Sequence, residues 1–140
     1  MNEISDATYV PTAEEIQALV RYLPVFETKG FVSGTSESRP GFFPDFMNSR
    51  DVLRFVHALY DNGFVFPFDW VRWTDRVDAY ICKPETLQTA SLQDIRKLLT
   101  AIARKDRFCA GQLACLIDGG FIQAVLRRLE AIGDCQADQA

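Results

Sequence analysis

The sequence predicts an all-α fold, a single compact bundle of five or six main helices with one long aromatic-rich loop, and three observations lead there. Apolar residues recur along successive stretches at the i, i+3, i+4, i+7 spacing of one helix face. Ser- or Thr-led capping sequences stand in front of two of those stretches, and no segment shows the alternation of paired strands. The 140 residues, 48% hydrophobic with only 8 Gly and 6 Pro, fit one folded domain and exclude a disordered or low-complexity chain. A domain of this size buries about two-thirds of its unfolded surface and needs neither metal nor disulfide to fold. Residues 1–133 are read as that domain and 134–140 as a polar C-terminal tail.

Taken in order, Thr12-Ala13-Glu14-Glu15 is a capping box, and Ile16, Leu19, Val20 and Leu23 form the stripe behind it. Pro24 kinks or stops this helix and Gly30 closes the segment. Residues 28–47 show no period and read as one long connection, held down by Phe31, Val32, Phe42, Phe43 and Phe46. Connections of that length are uncommon unless they cover something or move. Asn48, with Asp51 three residues on, starts a helix whose inner stripe is Val52, Phe55, Val56 and Leu59, and Gly63 suits the left-handed position past its end. Phe64-Val65-Phe66 reads as an apolar connector. Asp69 is expected to cap a helix carrying Trp70, Trp73, Val77, Tyr80 and Ile81, and Pro84 to open a single turn through Leu87. Ser91-Leu92-Gln93-Asp94 is a second capping box, with Leu92, Ile95, Leu98, Leu99 and Ile102 along one face of the helix it opens. A helix with Cys109, Leu113, Leu116 and Ile117 stops at Gly119-Gly120, and the last, with Phe121, Val125, Leu126 and Leu129, is expected to end at Gly133.

A net charge of −4 disfavours tight binding to a polyanion or an anionic membrane. The charge is uneven: residues 1–90 carry 8 Lys/Arg against 13 Asp/Glu, while residues 91–133 carry 7 against 4. Cys82, Cys109, Cys115 and Cys135 include no C-x-x-C pair, so free thiols in a reducing cytoplasm are expected. The first residues carry Glu3 and Asp6 where a signal peptide needs basic ones, and no stretch approaches the apolar length of a membrane span. No phosphate-cradling glycine loop or dinucleotide fingerprint is present, and no cofactor or metal is expected.

His57 is the only histidine, so any histidine-based catalysis within one chain depends on it. At the edge of its helix stripe it reads first as a partly buried structural residue. Arg50 and His57 also form an Arg-x6-His arrangement that resembles the motif of the HEPN ribonucleases, small all-α domains. That resemblance implies an arginine and a histidine acting together on an RNA phosphate, usually across a dimer. Asp61, Asp69, Asp75 and Asp78 interleave with Arg72 and Arg76 and read as a solvated helix surface rather than a metal cluster.

Two features rise above this background. Residues 42–73 hold 10 of the 17 aromatics, and Phe42, Phe43, Phe46 and Trp70 are the candidates for an apolar patch that binds another protein. Arg104, Lys105 and Arg107, followed by Phe108, form a basic corner that suits a helix C-terminus or an anionic ligand. With Arg127 and Arg128 they make the candidate surface for nucleic acid, in a loose helix-turn-helix setting.

Pro67-Phe68-Asp69-Trp70, Arg104-Lys105-Asp106-Arg107-Phe108, and Gly119-Gly120 before Leu126-Arg127-Arg128-Leu129 resemble a bacterial all-helical family of unknown function over roughly residues 50–130. The resemblance implies a small helical protein and no particular activity. The leading expectation is therefore a non-enzymatic cytoplasmic module that binds a protein or protein complex. One form of it is a mobile-element-encoded inhibitor of a defence complex, anti-CRISPR-like in its acidic surface. The alternatives are the HEPN-like nuclease and weak nucleic-acid binding through the basic C-terminal helices.

Overall fold

In the computed structural model, which describes residues 8–37, 40–41 and 45–139, two helices carry most of the packing. One is α5, Leu92–Asp106, and the other α7, Phe121–Gln139. Around them lie α1 (Ala13–Val20), α2 (Tyr22–Phe26), α3 (Arg50–Asp61), α4 (Thr74–Cys82) and α6 (Gln112–Asp118). Helix α7 packs on α1, α2, α5 and α6, while α5 also meets α4. The shared core includes Ile16, Leu19, Phe55, Leu59, Leu98, Leu99, Leu113, Ile122, Val125 and Leu129, each fully buried. The all-helical expectation holds, with short additions.

The first addition is a hairpin. Strands β1 (Gly34–Glu37) and β2 (Asp45–Asn48) pair antiparallel, with Gly34 opposite Asn48 and Ser36 opposite Phe46. The expected irregular connection is thus partly a two-stranded ladder. Its polar first strand shows no apolar alternation, so the backbone pairing left little mark in the composition. Phe42 and Phe43 lie outside the described residues. The second addition is 3-10 helix: Trp70–Trp73 stands before α4, and Pro84–Thr89 follows it. The expected single helix from Asp69 is therefore split. Asp69 makes no capping bond, and its carboxylate meets Arg72 at 3.2 Å instead.

Several boundaries also move for identifiable reasons. Helix α1 closes at Val20 because Pro24 has no N–H to give to that carbonyl, and the chain restarts as α2. Thr12 and Glu15 form the full capping box. Ser91 accepts from the Asp94 amide, which is one half of such a box. Ser49, not Asn48, caps α3, accepting from the Val52 amide at 3.4 Å. Helix α6 starts after Gly111, later than Cys109 suggested, with Gly111 at φ +93°. Helix α7 does not stop at Gly133 but runs on through Gln139, so the expected tail is helical to that point. A Cβ at Gly133 would stand 3.2 Å from the Ile16 side chain. The glycine is there so that α1 can approach α7 closely, which is why it reads falsely as a terminator.

One stitch sets the course of the chain between α3 and α4. Arg96 and Thr100, one helical turn apart on α5, are both fully buried. Arg96 Nε donates to the Gly63 carbonyl at 2.8 Å, and Thr100 Oγ1 donates to the Phe64 carbonyl at 3.0 Å. The Phe66 amide donates back to Thr100 Oγ1 at 3.3 Å. Residues 63–66 are thereby held along α5 almost as a strand is held in a sheet. The Arg96 guanidinium lies 4.2 Å from the centre of the Phe66 ring and 5.7 Å from that of Tyr9. Its Nη1 also donates to the Tyr9 carbonyl and to Gln93 Oε1, both at 2.9 Å.

Two predictions follow from these contacts. Thr100→Val preserves shape but leaves the Phe64 carbonyl and Phe66 amide buried and unpaired, so it should destabilise the protein by about 1–3 kcal/mol. Urea denaturation measures this, and an unchanged midpoint would reject the stitch. The second concerns pH. Burial, opposed by Arg76 and reinforced by the Asp94 carboxylate, pushes the Tyr80 phenol above its ordinary value. Tyr9 is pushed the same way, first by its hydrogen bond to Glu15 and then by burial. Both phenols hold their protons more tightly folded than unfolded. Their contribution to stability is full below about pH 10 and is lost as pH rises through the folded values. Tyr80→Phe should flatten that alkaline fall, and a variant with the native profile would refute the assignment.

Candidate functional site

The stitch delivers Phe66, Pro67, Phe68 and Trp70 to the C-terminal end of α5. There they meet Arg104, Arg107 and Phe108 around one open groove of about 560 Å³. Arg104 stands one turn beyond Thr100 and two beyond Arg96, so the buried and the groove-lining parts of α5 share one helix face. Trp70 and Phe108 stack with ring centres 6.3 Å apart and planes 24° apart. Phe66 and Phe68 stack at 5.0 Å and 19°, forming a second aromatic wall. Phe66 is buried, Phe68 and Trp70 are half-buried, and Phe108 is 78% exposed. Phe108 thus presents a large aromatic face to solvent beside a second ring.

The groove is cationic as well as aromatic. Its described lining contains Arg104 and Arg107 and no carboxylate. Arg104 is half-buried and reaches over the Tyr60 ring at 5.9 Å, so its orientation is set; Arg107 is exposed. Both lie where α5 ends, so its unsatisfied carbonyls favour cations there. The arrangement can do two things chemically: bury an apolar or aromatic group between rings, and hold an anion on a guanidinium.

The candidates from the sequence divide accordingly. Trp70, Arg104 and Arg107 come together in this groove although Trp70 belonged to one predicted feature and the arginines to another. Lys105 lines a separate narrow crevice, with Trp70, Thr74 and Gln112. Phe46 is half-buried and packed into the fold: Cβ atoms built at Gly34 and Gly111 would stand 2.3 and 3.2 Å from its ring. It anchors the hairpin to the α5–α6 corner rather than facing outward. Asp106 serves the same corner, accepting from the Leu113 amide at 3.0 Å and from Asn48 Nδ2 at 3.4 Å.

His57 is exposed, contrary to the partly buried setting read from its helix. It lines a shallow depression with Arg21, Tyr22, Arg54 and Asp61, to which Arg50 does not contribute. Arg50 stands, also exposed, in the first turn of α3. Arg127 pairs with Glu27, and Arg128 Nε donates to the Ala90 carbonyl at 2.9 Å, away from the groove lining. The five basic candidates therefore fall into three depressions: Arg104 and Arg107 line the aromatic groove, Lys105 the crevice beside Trp70, and Arg127 and Arg128 a third. Reading the sequence missed Arg96 and Thr100 entirely, yet a signal existed. Arg96 falls four after Leu92 and three before Leu99, on the apolar stripe, where a charge is out of place unless bonded. Phe108, directly after the basic run, is exposed and stands in the groove with the arginines of that run.

The division of labour between two aromatics is testable. Phe46→Ala should cost about 2 kcal/mol or more through the cavity under the hairpin. Phe108→Ala should change stability by less than about 1 kcal/mol. Thermal denaturation of the pair checks this, and equal losses would contradict it.

Among the described residues no helix is long and apolar enough to cross a membrane. No curated protein and no solved structure matches the chain. A family model described as a family of unknown function, DUF6508, matches residues 11–134.

Proposed function

The chain belongs to the DUF6508 family, whose function is unknown, and we propose that it is a recognition module whose aromatic–arginine groove takes an acidic, aromatic-bearing peptide segment of a partner protein. The observation that carries this reading is the convergence of residues 66–70 and 104–108 on one groove, with Phe108 presented to solvent. Charge complementarity selects the occupant. Two arginines without a lining carboxylate favour a carboxylate-bearing segment, and the stacked rings favour an aromatic anchor. A polynucleotide would meet the same arginines, but the chain as a whole carries a net charge of −4 that repels it. The four cysteines, free and exposed, suit a reducing cytoplasm as the place of action.

Selection from a random displayed peptide library tests the reading. Enriched peptides should combine Asp or Glu with Trp, Tyr or Phe and bind the native protein. Phe108→Ala, or Arg104→Ala with Arg107→Ala, should weaken them about tenfold or more. Selected peptides that ignore both variants would overturn the proposal. So would a preference for single-stranded RNA with a steep salt dependence, which would make the groove a nucleic-acid site.

A further inference from the structure

A second depression, lined by none of the residues of the aromatic groove, has a different design. It lies between α7 and the 3-10 helix Pro84–Thr89, measures about 280 Å³, and is walled by Pro84, Leu87, Ala124 and Ala131. Leu87 is 2% exposed and forms a closed apolar floor. Gln88, Arg127 and Arg128 complete the lining. Arg128 is half-buried and anchored by the bond from its Nε to the Ala90 carbonyl. That bond fixes the plane of the guanidinium and uses one of its donors. The terminal nitrogens have no acceptor among the described residues. Arg127 is held at the rim by Glu27.

We infer that this crevice binds a small carboxylate on an apolar stem, such as a medium-chain acyl acid, with the carboxylate on Arg128 and the stem against Leu87 and Ala124. The chemistry follows from the parts. A planar guanidinium that is already oriented presents two parallel N–H groups at the spacing of a carboxylate, and loses little freedom in doing so. The two alanines on α7 leave the space that the stem fills, and the apolar walls reward each methylene buried with roughly a fourfold gain in affinity. The site shares no lining residue with the aromatic groove. It stands or falls independently of the peptide reading.

Titration with sodium octanoate and with octanol, followed by calorimetry and amide chemical shifts, tests the site. Octanoate should bind at least about tenfold more tightly than octanol and shift amides around Leu87, Ala124 and Arg128. Arg128→Gln should reduce octanoate to the affinity of octanol. Ala124→Leu, which keeps both arginines and fills the crevice, should abolish binding while circular dichroism stays native. Equal binding of the alcohol and the acid, undiminished binding to Ala124→Leu, or shifts confined to the Trp70–Phe108 groove would each overturn the assignment.

Discussion

The fold turns on a charged group placed where charge is costly. Arg96 is fully buried on α5, with its Nε donating to the Gly63 carbonyl and its Nη1 to the Tyr9 carbonyl and Gln93. A guanidinium has donors in a fixed fork, so satisfying them fixes the surrounding backbone in space as well as in energy. Gly63, at φ +77° and with Tyr9 against it, makes the turn that brings its carbonyl to Arg96. Thr100 then repeats the same operation one turn along the helix, with Phe64 and Phe66. Without these bonds, residues 63–66 would be an apolar segment with unpaired backbone groups in a protein core.

The groove is a downstream result of that constraint. Once Phe66 is pinned over Arg96, Phe68 and Trp70 have only the end of α5 to cover, and Arg104, Arg107 and Phe108 are there. The neighbouring corner is kept rigid by polar and steric means together. Asp106 caps the start of α6 and meets Asn48, while Phe46 fills the room that Gly34 and Gly111 leave. The segment Arg104-Lys105-Asp106-Arg107-Phe108 thus mixes two tasks in consecutive residues. Its acid and lysine face the interior corner and the crevice by Trp70, and its arginines and phenylalanine face the groove.

Helix α7 serves the other half of the molecule in a comparable way. Gly133 admits α1 to close contact, Arg127 reaches Glu27 just past α2, and Arg128 reaches the carbonyl ahead of α5. Ion pairs as exposed as that of Arg127 contribute little stability in water. Their use here is to hold side chains in place at the edge of the crevice.

What the sequence by itself determined is the helical plan, because helix periodicity, capping residues and glycine stops are local signals read over one or two turns. Thr12, Ser91, Gly63 and Gly120 do in the structure what their chemistry indicates. Tertiary structure alone decided the rest. Whether Gly133 ends a helix or admits a neighbour depends on Ile16, more than a hundred residues away in the chain. Whether Phe46 faces a partner or the protein depends on two glycines in other elements, and the exposure of His57 depends on how α3 rotates against its neighbours. The groove needed two aromatic-bearing and basic segments to meet, and that meeting is set by buried hydrogen bonds to carbonyl groups. Carbonyls are identical in every residue, so no side-chain pattern announces which ones Arg96 and Thr100 will find.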